Sequence, residues 1–288
     1  MSISIQCDTN QIMKMMEFYK ENEIQVNNQY VRFAAKNENC SILIYLSNKV
    51  VFQGNNEDYE ASIWNQIKPS NDSKVILPQS GSDEVGTGDY FGPICVCASY
   101  IDEKIYHQLL PYNITDSKKL TDAYILKIGK DVADIVPHSL LILSNEKYNE
   151  IHKTTNMNAI KAKLHNKAYL HLQKKIAQMP SFNVVDQFAE EGLYYHYLKN
   201  EKEVFHNLHF ETKAEAKYIA VGTSSIIARY AFLKTMDDIS AKYHMDVPKG
   251  AGQNVDDFIK QFVATYGKNE LNKVAKIHFA NTKKIDGE

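Results

Sequence analysis

The chain has 288 residues, 44% of them hydrophobic and 24% charged, with a formal net charge of −2. That is too apolar for a disordered chain, and no run reaches the ~20 consecutive apolar residues a membrane helix needs. The length suits about two domains, and near-neutrality means that any affinity for nucleic acid must come from local positive patches around an acidic site.

In chain order, TNQIMKMMEFYKEN (9–22) places Ile12, Met15, Met16 and Tyr19 at helical spacing, with Thr9 or Asn10 as N-cap. QYVRFAAKNENCSILIYLSNKVVFQG then predicts two or three strands with a turn at LSNKV, and EDYEASIWNQIK a second helix carrying the only tryptophan, Trp64. Together they form a small α+β unit over residues 1–68. PSNDSKVILPQSG (69–81), rich in Pro, Ser, Asn and Asp, is the expected linker.

From residue 82 to the end the pattern becomes alternating strand and helix. ICVCASYI, HSLLILSN and FNVVDQFA are strands. The segments 156–179 and 213–243 are long helices, and NVDDFIKQFVATYG is a third. Such alternation predicts a central sheet flanked by helices. The opening MSISIQCDTN has neither the basic nor the apolar region of a secretory signal. Cys7, Cys40, Cys95 and Cys97 have no zinc or disulfide spacing, so buried reduced thiols in a cytoplasmic protein are expected.

GSDEVGTGDYFGP (81–93) runs two adjacent acids into closely spaced glycines. Adjacent like charges call for a cation, and glycines let backbone approach a ligand. Asp83 and Glu84 follow the first strand of the second domain, Asp186 ends the apolar run FNVV, and Glu215 opens a long helix. Ligand sites of open α/β sheets form at the carboxyl ends of strands, so these acids are expected to converge. An oxygen-only set suits Mg²⁺ or Mn²⁺ rather than zinc. Two such ions can clamp the attacking and leaving oxygens of a phosphoryl displacement. Each acid taken alone is equally readable as a solvated surface group, and Glu215 as a charge favourable at a helix start.

DEVGTGDYFGP, with TDSKKL (115–120), VVDQF (184–188) and TKAEAKYIAVGTSSIIARYAF (212–232), resembles the type 2 ribonuclease H family, and within it the bacterial ribonuclease HIII branch. The resemblance covers residue 82 to about residue 280. It implies a ribonuclease H-like mixed sheet with flanking helices, preceded by a small domain similar to the TATA-binding protein. The implied activity is metal-dependent endonucleolytic hydrolysis of the RNA strand of RNA/DNA hybrids, leaving 3′-hydroxyl and 5′-phosphate ends. The catalytic, metal-holding acids then fall on Asp83, Glu84, Asp186 and Glu215. Glu215 in a TKAE context and Gly86-Thr87-Gly88 in place of the GRG of ribonuclease HII favour the HIII branch.

Only the 2′-hydroxyl distinguishes RNA from DNA at a nucleotide, and the backbone of Gly86, Thr87 and Gly88 is assigned to sensing it. Lys118 is a candidate phosphate contact beside Ser117, with Asp116 orienting the loop; Asp116 or Ser117 would equally serve as a helix N-cap. Ser225 and Arg229 match family positions near the substrate, whereas Gly222 and Thr223 read as helix-to-sheet packing. His206 and His209 are surface or strand-end residues, or assist proton transfer. In the first domain Tyr30, Arg32, Phe33 and Lys36 are expected to be exposed and to meet the sugar–phosphate backbone.

The partner is then a hybrid duplex, acted on by a monomer with no membrane and no nucleotide cofactor. Three rivals remain: cleavage at single ribonucleotides embedded in DNA, an inert hybrid-binding module, and a P-loop nucleotide site. The last lacks the Gly-Lys-Ser/Thr run and puts Asp89 where a phosphate wants a cation.

Overall fold

The computed structural model describes residues 2–7, 9–37, 40–55, 57–65, 75–112, 114 and 120–284. It forms two compact units, Met1–Lys74 and Val75–Glu288.

In the first unit, β1 (Ser2–Gln6), α1 (Thr9–Phe18), β2 (Val31–Lys36), β3 (Cys40–Tyr45), β4 (Lys49–Gly54) and α2 (Glu57–Asn65) follow one another. The sheet is antiparallel in the order β1-β4-β3-β2. Period-two alternation turns Ile42, Ile44, Val50 and Phe52 toward the helices, where they pack with Ile12, Met15, Tyr19, Ala61 and Trp64. Within this core the Tyr19 hydroxyl donates to Glu60 Oε2 at 2.5 Å and accepts from Trp64 Nε1 at 3.0 Å. The same alternation corrects one expectation. Phe33 is only 6% exposed and joins the core with Ala35, while Tyr30 is 63% exposed and Arg32 and Lys36 face outward. The first helix also stops at Phe18, and a 3₁₀ turn (Lys20–Asn22) follows.

In the second unit, β5 (Gln79–Val85), β6 (Ile94–Ile101), α3 (Glu103–Leu109), α4 (Asp122–Ile135), β7 (His138–Leu143), α5 (Asn145–His152), α6 (Met157–Gln173) and β8 (Phe182–Asp186) come first. Then follow α7 (Glu191–Tyr197), β9 (His209–Glu211), α8 (Ile219–Tyr243), α9 (Gln253–Tyr266), α10 (Leu271–Val274) and α11 (Ala280–Lys283). The mixed sheet runs β7-β6-β5-β8-β9, with β5, β8 and β9 parallel and β6 antiparallel to both of its neighbours, β5 and β7. β5 begins at Gln79, inside the stretch expected as linker.

One sheet face carries α6, whose Ile160, Ala168, Tyr169 and Leu172 pack on Ile94, Val96, Ala98 and Val185. The other carries α8, drawn in by small residues. A Cβ on Gly81 would stand 2.5 Å from the Val221 amide nitrogen. Ser224 Oγ donates to the Gly81 carbonyl at 2.7 Å, and Ser99 Oγ to the Ala220 carbonyl at 2.8 Å. Gly222 and Thr223 are buried within α8. Both long helices are shorter than the sequence suggests. α6 ends at Gln173, and α8 starts at Ile219 behind a separate 3₁₀ turn at Ala214–Ala216. The four cysteines form no disulfide and are buried.

Candidate active site

Asp83 and Glu84 lie within β5, not after it, because β6 pairs along the strand as far as Val85. Parallel register sets Ser82 beside Val185, so one further step brings Asp83 alongside Asp186, where β8 ends. Alternation turns Gly81 and Asp83 toward α8, and Ser82 and Glu84 toward α6. Asp83 is 6% exposed and accepts the Glu84 amide at 2.7 Å and a hydrogen bond from Ser225. Burial, then the charges of Glu84 and Asp186, push its carboxyl well above the usual carboxylate range. Asp186 Oδ1 accepts the Ala214 amide at 2.9 Å, which fastens the 3₁₀ turn carrying the buried Glu215 to the end of β8. Lys213, just before that turn, sits in the left-handed region at φ 55°. For a residue with a Cβ this costs roughly 1–2 kcal/mol, and the turn it begins brings Glu215 in ahead of α8 instead of within it.

Glu84 meets different company. Its Oε1 accepts from Lys161 Nζ at 2.9 Å, and its Oε2 lies 2.9 Å from His165 Nε2. His165 is fully buried, with Nδ1 2.7 Å from Ser82 Oγ, and the Lys161 ammonium stands 4.0 Å from the centre of the Phe188 ring. Burial alone would raise Glu84, but hydrogen bonds and charge from His165 and Lys161 outweigh it and hold the carboxyl at about 2. Neither Lys161 nor His165 was singled out from the sequence. The signal was there: residues 161, 165, 168 and 172 form one helical stripe that starts Lys, His and continues Ala, Leu.

The glycine loop is tightly fixed. Gly86 has φ +95°, and a Cβ there would stand 2.2 Å from the Pro93 carbonyl oxygen; Gly92 has φ +81°. Gly88 is exposed with open space around it, and Thr87 is half-buried. Asp89 Oδ1 accepts the Gly250 amide at 2.6 Å. The buried Lys276 donates from Nζ to the carbonyls of Asp89 at 2.8 Å and Gly92 at 2.5 Å. Burial pushes that ammonium down to about 8.

Asp83 and Asp186 thus stand on adjacent strand ends, Glu215 is carried on the turn that Asp186 fastens, and Glu84 turns toward α6. Ser225 is buried against Asp83. Arg229 bonds Asp122 Oδ1 through Nε (3.1 Å) and Nη2 (2.6 Å), and the Leu120 carbonyl through Nη1 (3.0 Å). It thereby braces the start of α4, whose N-cap is Thr121. Asp116, Ser117 and Lys118 lie outside the described residues. His206 stacks on Tyr195, and His209 Nε2 is 3.4 Å from Glu211.

Residues 80–282 match the family model described as Ribonuclease HII, and residues 2–75 one described as Domain of unknown function (DUF3378). The ribonuclease HIII of Bacillus mycoides (strain KBAB4) is 42% identical over 98% of this chain and 97% of its own. This chain belongs to the ribonuclease HIII family. The ribonuclease HIII of Bacillus cereus (strain ATCC 10987 / NRS 248) is 41% identical with the same coverage. Among solved structures, Bst-RNase HIII in complex with Mn²⁺ is 34% identical, with a TM-score of 0.72 over 100% of this chain and 98% of that one. Aquifex aeolicus RNase H3, 21% identical, shares the fold at a TM-score of 0.56. The family is one of endoribonucleases.

Does this member's site fit a divalent ion? The donors are carboxylate oxygens, the set that hard cations take. Asp83 is crowded by two like charges in a buried setting, and a cation there would relieve that. Among the described residues no three His, Cys, Asp or Glu side chains stand assembled around one point. Asp83, Glu84 and Asp186 each answer to a protein donor instead. The chemistry fits; the closing of the ligands around an ion would be a step of binding.

Proposed function

We propose that the protein cuts the RNA strand of RNA/DNA hybrids endonucleolytically, leaving 3′-hydroxyl and 5′-phosphate ends. Asp83, Glu84, Asp186 and Glu215 would hold two Mg²⁺ or Mn²⁺ ions. When bound, such ions supply an activated water and neutralise charge on the leaving oxygen. The observation that carries the reading is the register of β5 and β8, which sets Asp83 beside Asp186 with the fixed Gly86–Gly88 loop three residues farther on.

The residues divide the work. Asp83 and Asp186 present carboxylate oxygens from adjacent strand ends, and Ser225 orients Asp83. The backbone at Gly86, Thr87 and Gly88 meets the ribose, because the open space at Gly88 admits a sugar to hydrogen-bonding distance. Arg229 acts through Asp122 by bracing the segment after TDSKKL, where Ser117 and Lys118 would contact phosphate. In the first unit, the sheet face turned away from the helices offers Lys36, Ser41, Lys49 and Gln53, with Tyr30 and Arg32 nearby, to the sugar–phosphate backbone. No nucleotide cofactor is called for. We read the enzyme as a cytoplasmic monomer; among the described residues no helix is long and apolar enough to cross a membrane.

A cleavage map with Mg²⁺ on two end-labelled duplexes tests this. One carries a full RNA strand on DNA, the other a single ribonucleotide within DNA. Multiple cuts in the first and almost none in the second are expected. Efficient cutting of the second alone would overturn the assignment in favour of single-ribonucleotide specificity, and cutting of neither would leave a binding module.

A further inference from the structure

The contacts of Glu84 are unusual for a metal ligand. Lys161 and His165, one turn apart on α6, hold its two oxygens separately at 2.9 Å each. His165 is anchored from behind by Ser82 Oγ, and the side chains of Lys161 and Glu84 are only 10% and 12% exposed. Taking such a pair out of water is costly, and an apolar pair of similar volume is often as stable. The ion pair is therefore a poor device for holding α6 on the sheet, which Ile160, Ala168, Tyr169 and Leu172 already secure. Its placement is specific, because it engages the catalytic acid that faces α6.

We propose that Lys161 is a positioning residue that competes with a divalent ion for Glu84. In the metal-free protein its ammonium keeps Oε1 ion-paired and offsets the charge of a crowded acidic site. His165, fixed by Ser82, keeps Oε2 in place throughout. This rests on the reading of Glu84 as a metal ligand. Two cations then contend for one carboxylate oxygen, with a clear consequence. Removing the lysine charge strengthens metal binding while leaving the carboxylate less well aimed, so affinity and turnover move in opposite directions.

The test is a titration of the full chain with Mn²⁺ alone, following the paramagnetic resonance signal of free ion without substrate. Lys161→Met is expected to lower the Mn²⁺ Kd about tenfold, the scale of one charge-assisted hydrogen bond. Its turnover at saturating Mn²⁺ should fall, while Lys161→Arg, which keeps the charge, stays near wild type in Kd. If Lys161→Met does not fold, Lys161→Gln carries the same expectation. An unchanged or raised Kd in the charge-removing variant overturns the inference. Asp186→Asn, titrated in parallel, separates the two levels. If it loses Mn²⁺ binding while Lys161→Met is silent, only the role of Lys161 fails. If it binds Mn²⁺ as wild type does, the metal-site reading fails and the inference goes with it.

Discussion

Asp83 and Glu84 are neighbours in the chain, yet the strand turns them to opposite faces and their proton affinities part. Asp83 is raised by burial, then by Glu84 and Asp186. Glu84 is lowered to about 2 by His165 and Lys161 against its burial. The signs have consequences for stability. A carboxyl whose folded value is depressed stabilises the fold fully above its unfolded value of 4.5 and loses that contribution as pH falls through about 2. A shift of this size corresponds to about 3 kcal/mol by linkage. Asp83 acts in the opposite sense: its contribution is present below 3.8 and is lost as pH rises through its raised folded value. Urea unfolding of wild type and Glu84→Gln from pH 6 downward should therefore show wild type ahead at pH 6. The gap should close as pH drops below 4.5. A gap independent of pH would mean that Glu84 is not held as a carboxylate by Lys161 and His165.

Among the elements, α8 and β5 are fitted most closely, and Gly81 is the point of contact. Any side chain there meets the backbone of Val221 at 2.5 Å, and backbone cannot swing aside as a side-chain tip can. Gly81→Ala should cost about 1–3 kcal/mol, the usual range for an overpacked core, seen as a lower denaturant midpoint with an unchanged slope. An unchanged midpoint would show that α8 can shift on the sheet. What the sequence reveals of these elements follows from the range of the forces involved. β6 is legible because ICVCASYI is buried along nearly its whole length, and α9 because its apolar residues recur at helical spacing. β1 was passed over although Ser2–Gln6 alternates Ser and Ile, the pattern of a strand with one covered face. Glu215 was expected to open a helix. Composition around TKAEAK is helical, but a left-handed Lys213 and the Asp186–Ala214 bond break the segment before α8. The motifs put the four acids forward as a set, which remains a proposal. Their division between two sheet faces was not legible, because it depends on which helix covers each face. The Lys161–His165 clamp is a contact across about eighty residues of chain, beyond what local periodicity encodes.

For the molecule as a whole, two units with separate cores imply two separable contributions to handling a long substrate. The second unit holds the acids and the glycine loop and has its own sheet and core, so under the proposed function its chemistry on a bound duplex is expected not to need the first. Among its described residues, the first has helices packed on one side of its sheet and basic residues on strands whose other residues feed the core. With a net charge of −2 over the whole chain, attraction to a polyanion has to be local, and a tethered second grip raises the effective concentration of duplex at the acids. Loss of such a grip removes binding shared equally by ground and transition states, which raises KM and leaves kcat alone. Deleting residues 1–68 should therefore raise KM for a hybrid duplex by about tenfold or more while kcat stays within about twofold. The KM of the truncated enzyme should also respond less steeply to added salt, since fewer phosphate contacts remain to release counterions. Steady-state kinetics at two salt concentrations checks both. An unchanged KM would show that the first unit does not grip the hybrid, and a collapse of kcat would show that it takes part in shaping the acidic site.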